Sequence, residues 1–165
     1  MNTTRSGIGY DSHRFAAGGP MRLGGVDIPA DFHCHGHSDG DAVCHAVTDA
    51  LLGAAGLGDI GEMFPDTDAA NKGKDSVVML HAARERLRVA GWQVGNVDIT
   101  VVTQEPKIGP YRDAIRARLS GVLGVPVNDV SVKGKTNEGM GWIGRGDGLA
   151  VISVATIVRA HIGGP

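Results

Sequence analysis

The stretch His37–Asp68, HSDGDAVCHAVTDALLGAAGLGDIGEMFPDTD, constrains the chain most: it sets a polar cap, a histidine and a dense series of carboxylates around one apolar helix. Ser38 followed three residues later by Asp41 is a variant capping box with Asp in place of Glu, so a helix is expected to start near Ser38. Ala42 to Leu57 then offers helix formers and little that breaks a helix. Asp41, His45 and Asp49 recur every four residues and share one face, while Val43, Val47, Ala50, Leu51 and Ala54 form an apolar stripe on another. One face is core and the other is chemistry.

Length and charge narrow the setting. A chain of 165 residues fits one domain, 1–165, that buries about 70% of its unfolded surface without a covalent staple. The two cysteines, Cys34 and Cys44, lack paired spacing, and no signal-type or membrane-length apolar run follows Met1, so a cytoplasmic location without membrane contact is expected. Sixteen basic against 18 acidic residues, net −2, argue against a dedicated nucleic-acid binder while leaving room for a phosphorylated ligand held by local charge. The 26 glycines gather around Gly18–Gly25 and Gly134–Gly148 with no fixed period, which points to specialised loops rather than repeats.

In chain order, Ser6–Phe15 reads as a strand and Met21–Ile28 as a hairpin turning at Gly24-Gly25. Asp11 and His13 emerge on the same face of that first strand, as a pair of ligand-type groups or simply as a solvated pair. Asp31–His37 reads as a loop in which His37, ahead of the helix cap, is placed to meet an anion, whereas His33 and His35 read as solvated. Gly58–Asp68 reads as a polar loop whose carboxylates are either solvated, with one Asp as a helix cap, or recognise hydroxyls or position a metal, Asp59 and Asp66 being the candidates for the latter. Asp75–Ala90 is an amphipathic helix with an Asp cap and Gly91 as its stop, and His81 on it reads as structural or solvent-facing. Trp92–Thr103 is an alternating strand, Gln104–Gly109 a loop, and Pro110 opens a third helix running to Leu123. Ser131–Gly148 combines six glycines with Lys133, Lys135, Thr136, Glu138 and Arg145, suited to phosphate oxygens and, through Glu138, to Mg²⁺ on a diphosphate. Leu149–Val158 closes the chain as a buried apolar strand.

Asp11, His13 and His45 together form a three-ligand set of the kind that leaves a catalytic zinc with an open position, and Asp49, one turn beyond His45, is placed to support it.

The blocks GYDSHRF, RLGGVDIP, HSDGDAVCHAVTDALLGAAGLGDIGEMFPDTD, GNVDITVVTQEPK and VKGKTNEGMGWIGRGDG, in this order, resemble the 2-C-methyl-D-erythritol 2,4-cyclodiphosphate synthase family over residues 5 to 160. The resemblance implies a single α+β domain: a mostly antiparallel, mixed four-stranded sheet with helices on one face and a small β-hairpin. It also implies a homotrimer with the sheets around its axis and active sites between subunits. The implied activity, in the non-mevalonate isoprenoid pathway, is cyclisation of 4-diphosphocytidyl-2-C-methyl-D-erythritol 2-phosphate to the 2,4-cyclodiphosphate with release of CMP. Carried over by residue, Asp11, His13 and His45 hold Zn²⁺ and Glu138 holds Mg²⁺ or Mn²⁺. The same resemblance places His37 and Ser38 at the 2-phosphate, and Asp59, Gly61 and Asp66 around the methylerythritol. Thr103, Gln104, Glu105, Pro106, Lys107, Ile108 and Gly109 hold the cytidine diphosphate together with Thr136, and His37, Thr136 and Glu138 act on the reacting phosphates. Trp142, where many members have Phe, and Arg145 would border an axial cavity for an isoprenoid diphosphate. Lys135-Thr136-Asn137 departs from the consecutive threonines of some members and leaves Lys135 without a role. Two other readings stay open: a zinc phosphohydrolase acting on a nucleotide-linked diphosphate, and a non-catalytic trimeric binding module.

Overall fold

A computed structural model describes residues 3–160; the ends of the expected 1–165 domain, residues 1–2 and 161–165, lie outside the described residues. The elements are β1 (Thr4–Ala17), β2 (Met21–Leu23), β3 (Val26–Ile28), β4 (Phe32–Cys34), α1 (Ala42–Ala55), α2 (Ile60–Met63), α3 (Ser76–Val89), β5 (Trp92–Val102), α4 (Arg112–Leu123), β6 (Val130–Lys135), α5 (Gly141–Gly144) and β7 (Gly148–Arg159). They form an α+β fold around a mixed sheet ordered β4-β1-β7-β5-β6, with β2-β3 as a separate hairpin. Among the described strands only β5 and β6 pair in parallel, and α4 is the helical crossover that such a connection requires. The sheet has five strands where four were expected. The extra strand, β4, pairs antiparallel with the end of β1, and Phe32 meets Phe15 there with ring centroids 4.7 Å apart. Three residues inside a His- and Gly-rich segment carry too little alternation to read as a strand.

Helices cover one face. α1 packs across β1, β7 and β5, α3 packs on α1 and β5, and α4 packs on β6. Val97, Ile99 and Val101 of β5 and Leu149, Val151, Ala155 and Ile157 of β7 point into the core beneath them. The approach of α1 to β1 is unusually close because Gly7 and Gly9 lie under it: a Cβ at Gly9 would stand 1.9 Å from the Ala46 carbonyl oxygen, and one at Gly7 2.2 Å from that of Ala50. Residues of one parity share a face of a strand, so Gly7, Gly9, Asp11 and His13 all face α1. Even-numbered positions face the other way. There Ile8 stands opposite Val154 and Tyr10 opposite Ile152, and these side chains are 70%, 43%, 57% and 39% exposed. The closing strand is therefore not buried on both faces within one chain.

The start of α1 differs from the sequence expectation. Its N-cap is Asp41, three residues beyond Ser38, and the side chain accepts from the Cys44 N–H at 3.0 Å. Gly40, at φ 73°, turns the chain first; a Cβ there would be 2.2 Å from the Cys34 carbonyl oxygen. Asp41 is fully buried and also accepts from Gly24 N–H at 2.8 Å and Gly25 N–H at 2.6 Å, so it pins the β2–β3 turn to the head of α1 instead of sharing a chemistry face with His45. Burial pushes its carboxyl pKa up, against the pull of those three N–H groups.

Candidate active site

Asp11 and His13 on β1 and His45 on α1 meet where α1 crosses the strand, with a ligand atom from each lying within 4.8 Å of the others. Asp11 Oδ2 is 2.9 Å from His13 Nδ1 and 3.3 Å from His45 Nδ1, and the two imidazole centroids are 5.4 Å apart. Asp11 Oδ2 and His13 Nδ1 are buried without a properly aligned hydrogen bond, which is costly unless a further group satisfies both. Burial alone would raise the Asp11 carboxyl pKa, but the two imidazoles outweigh it and hold the carboxyl below its ordinary value. At His45, burial works to lower the pKa, while Asp11, then Asp41 and Asp39, raise it above its ordinary value. Two nitrogens and one oxygen converging on shared, unpartnered space fit a divalent cation of the zinc type.

Around the triad is a cavity of about 340 Å³ lined by Asp11, His13, His45, His37, Ser38, Gly61 and Asp66, together with His35, Phe64, Asn71 and Met79. The sequence reading thus has most of one cluster assembled. His37 is there without the helix-end field expected for it, since the cap lies four residues further on. Asp59 is not in this lining. It caps α2, accepting from Glu62 N–H at 2.8 Å, so part of the expected polar loop is a helical turn. Asp49 accepts from Ile60 N–H at 2.8 Å and orients this turn; it makes no hydrogen bond to His45. The partners of His45 are instead Ser76 Oγ, 2.8 Å from Nε2, and Ser38 Oγ at 3.1 Å. Ser76 was readable in the sequence only as the first residue of a capped helix. His35, read as solvated, borders the cavity, whereas His33 Nδ1 sits 2.6 Å from the Gly18 carbonyl.

A second cavity, about 190 Å³, is lined by Thr103, Pro106, Lys107, Ile108, Gly109, Thr136 and Lys135, with Arg112 and Gly134. Gly134 is needed there, as a Cβ would meet Ile108 Cβ at 2.8 Å. Gln104 ties the two lining loops together by accepting from Asn137 N–H at 2.8 Å, while Glu105 pairs with Lys107 at 3.2 Å in solvent. Thr136 Oγ1 donates to Glu138 Oε1 at 3.2 Å; Glu138 is exposed and holds φ 52°, a left-handed conformation uncommon outside glycine. Within one chain the two cavities share no lining residue. Arg145 lies apart from both and pairs with Asp147 at 3.1 Å, and Trp142 borders an open cavity of about 780 Å³ with Ser12, Arg14 and Phe15. Among the described residues no helix is long and apolar enough to cross a membrane.

Fold and site define an α+β domain with an N₂O metal-type centre beside a polar cleft and a separate cleft between the Thr103–Gly109 and Gly134–Thr136 segments. The comparisons agree with that class. The YgbB family model matches residues 4–158. The 2-C-methyl-D-erythritol 2,4-cyclodiphosphate synthase of Gemmatimonas aurantiaca is 78% identical over 154 residues, 93% of each chain, and that of Chromobacterium violaceum 52% identical over 94% of this chain and 99% of its own. Among solved structures, a CDP-bound 2C-methyl-D-erythritol-2,4-cyclodiphosphate synthase aligns at TM-score 0.85 and 38% identity over 93% of this chain and 99% of its own. The bifunctional IspDF from Campylobacter jejuni aligns at 0.93 and 38% identity over 96% of this chain, which spans 43% of that longer protein. The chain belongs to the YgbB family, that of the 2-C-methyl-D-erythritol 2,4-cyclodiphosphate synthases.

Proposed function

We infer that the protein converts 4-diphosphocytidyl-2-C-methyl-D-erythritol 2-phosphate to 2-C-methyl-D-erythritol 2,4-cyclodiphosphate and CMP. The observation that carries this reading is the convergence of Asp11, His13 and His45 on one buried, unsatisfied point at the floor of a polar cleft. The relatives' identity as 2-C-methyl-D-erythritol 2,4-cyclodiphosphate synthases and the CDP-bound form of one solved neighbour support the substrate class. Zn²⁺ on Asp11, His13 and His45, and Mg²⁺ or Mn²⁺ on Glu138 beside a diphosphate, would act as Lewis acids toward charge developing on the phosphates.

The chain's own residues then have to position two phosphates that repel each other. The 2-phosphate is itself the nucleophile and the β-phosphorus the target, so no general base is needed and catalysis reduces to alignment and charge neutralisation. His37 and Ser38, which line the triad cavity, hold the 2-phosphate, and Gly61 and Asp66 of the same lining, with Asp59 at the cap of α2 beside it, bind the methylerythritol. Thr103 to Gly109 together with Thr136 seat the cytidine diphosphate; Thr103, Pro106, Lys107, Ile108, Gly109 and Thr136 line the second cavity. A homotrimer joins the two half-sites across a subunit boundary. Supporting it are the absence of shared lining between the cavities and the open Ile8, Tyr10, Ile152, Val154 patch, which needs a covering surface. An isoprenoid diphosphate on the trimer axis would meet Trp142 and Arg145.

Phosphorus NMR of the reaction tests the assignment: one CMP and one cyclic diphosphate per substrate are expected, with no inorganic phosphate. Release of phosphate or of an open-chain diphosphate points to the hydrolase reading, and binding without turnover to the non-catalytic module. Substituting His45→Ala removes stoichiometric zinc along with turnover; retention of zinc rejects the triad.

A further inference from the structure

We propose that Ser76 and Asp39 are positioning residues that set the ring tautomer of His45, preparing its Nδ1 as a metal ligand through a buried hydroxyl–carboxylate pair. The inference rests on the metal centre proposed above and extends it to residues on α3 and on the turn before α1.

Ser76 is fully buried, and its Oγ lies 2.8 Å from His45 Nε2. The same hydroxyl donates to Asp39 Oδ1 in a short hydrogen bond. Asp39 Oδ2 accepts from the Ser76 N–H at 3.1 Å and faces Arg22 Nε at 3.2 Å. A serine hydroxyl has one proton and two lone pairs, and a carboxylate can only accept. The Ser76 proton is therefore committed to Asp39, and Ser76 turns only lone pairs toward the imidazole. Nε2 must supply the proton of that contact. Asp11 Oδ2, 3.3 Å from Nδ1, competes for the ring proton at longer range than Ser76 Oγ does at Nε2; with the proton held on Nε2, Nδ1 keeps its lone pair aimed at the triad, as a ligating nitrogen requires.

The opposite arrangement, with Ser76 donating to Nε2, would set the Ser76 oxygen lone pairs against those of Asp39 at that short separation. Ser38 Oγ, the weaker partner of Nε2, also accepts from Gly40 N–H at 3.3 Å. Asp39 cannot easily turn away, because its two oxygens are held by the first turn of α3 and by Arg22, which in turn contacts Asp27 at 2.9 Å and Asp75 at 3.5 Å. α3 thereby fixes a ring carried by α1.

Long-range proton–nitrogen correlation spectra of metal-free, ¹⁵N-histidine-labelled protein at about pH 9, where imidazole is neutral, read the tautomer directly. The wild type is expected to show His45 with Nε2 protonated. Asp39→Asn, whose amide can donate to Ser76, frees the hydroxyl to donate to the ring and shifts His45 toward protonated Nδ1. Ser76→Ala removes the acceptor and mixes the forms, with zinc affinity in a chelator competition falling roughly 10- to 100-fold and Ser76→Thr restoring most of it. A protonated Nδ1 in the wild type overturns the inference, as does wild-type zinc affinity in Ser76→Ala. The wild-type spectrum needs no variant to fold. If the wild type shows protonated Nε2 but takes up no stoichiometric zinc, the metal centre fails and the tautomer assignment stands.

Discussion

Gly9→Ala adds one methyl group, and the structure makes it among the most damaging single changes available. The new Cβ would stand 1.9 Å from the Ala46 carbonyl oxygen, 2.8 Å from its carbon and 2.9 Å from Ala50 N. These are backbone atoms of α1, so no side chain can rotate aside. Ordinary contact begins at 3.4 Å, and 3.4 minus 1.9 requires α1 to withdraw by about 1.5 Å. His45 immediately precedes Ala46 and withdraws with it from Asp11 and His13, whereas metal–ligand distances tolerate only about 0.2 Å. Urea unfolding of the metal-free protein should show a loss of about 3 kcal/mol, the upper part of the range for overpacking. Zinc affinity should fall at least about 100-fold, more than loss of a supporting hydrogen bond produces. Gly53→Ala is the control: it sits exposed on α1 with nothing near its Cβ, and should stabilise by about 0.5 kcal/mol. Gly9→Ala with stability within about 0.5 kcal/mol of wild type and unchanged zinc affinity would refute the claim that glycine spacing builds the triad.

Glu138→Gln keeps shape but weakens a hard-cation ligand, so turnover should drop about 100-fold or more while zinc content stays at the wild-type level. Parallel loss of zinc would show that Glu138 belongs to the triad's structure instead. Ile152→Asp puts a charge opposite Tyr10 in the open patch and should convert the proposed trimer, read by sedimentation, to monomers without cyclase activity; a variant that sediments as a trimer would place the interface elsewhere. Burial pushes the Cys34 thiol up to about 12 and the Cys44 thiol well above its ordinary value. Both should therefore ignore a disulfide reagent at neutral pH until urea unfolds the chain, and rapid labelling of either would contradict the packing around α1.

The long periodic elements were legible because their signals are local: the core stripe of α1, the Asp75 cap of α3 and the alternation of β5 all appear where the residues imply. The metal triad was legible as residue types, since Asp11 and His13 share a strand face, but only the Gly7–Gly9 contact with Ala46 and Ala50 brings His45 to them. Other features depend on contacts distant in sequence. Asp41 looks like a ligand-face residue until the Gly24-Gly25 turn arrives to claim its carboxylate, and β4 is a strand only because β1 extends far enough to pair with it. Asp49 and Ser76 exchange roles for the same reason. The residue one turn along the helix supports a loop, and the one on a different helix supports the histidine.

The central claim is that the substrate's own 2-phosphate attacks the β-phosphorus. Running the reaction in ¹⁸O-labelled water and analysing both products by mass spectrometry tests it most directly. An intramolecular attack breaks the bond to CMP and forms the ring with oxygens already in the substrate, so neither CMP nor the cyclic diphosphate should carry label. A metal-activated water must leave one solvent oxygen on whichever phosphorus it attacks. Label in CMP, or in an uncyclised diphosphate, would contradict the cyclase account even if Asp11, His13 and His45 were found holding zinc.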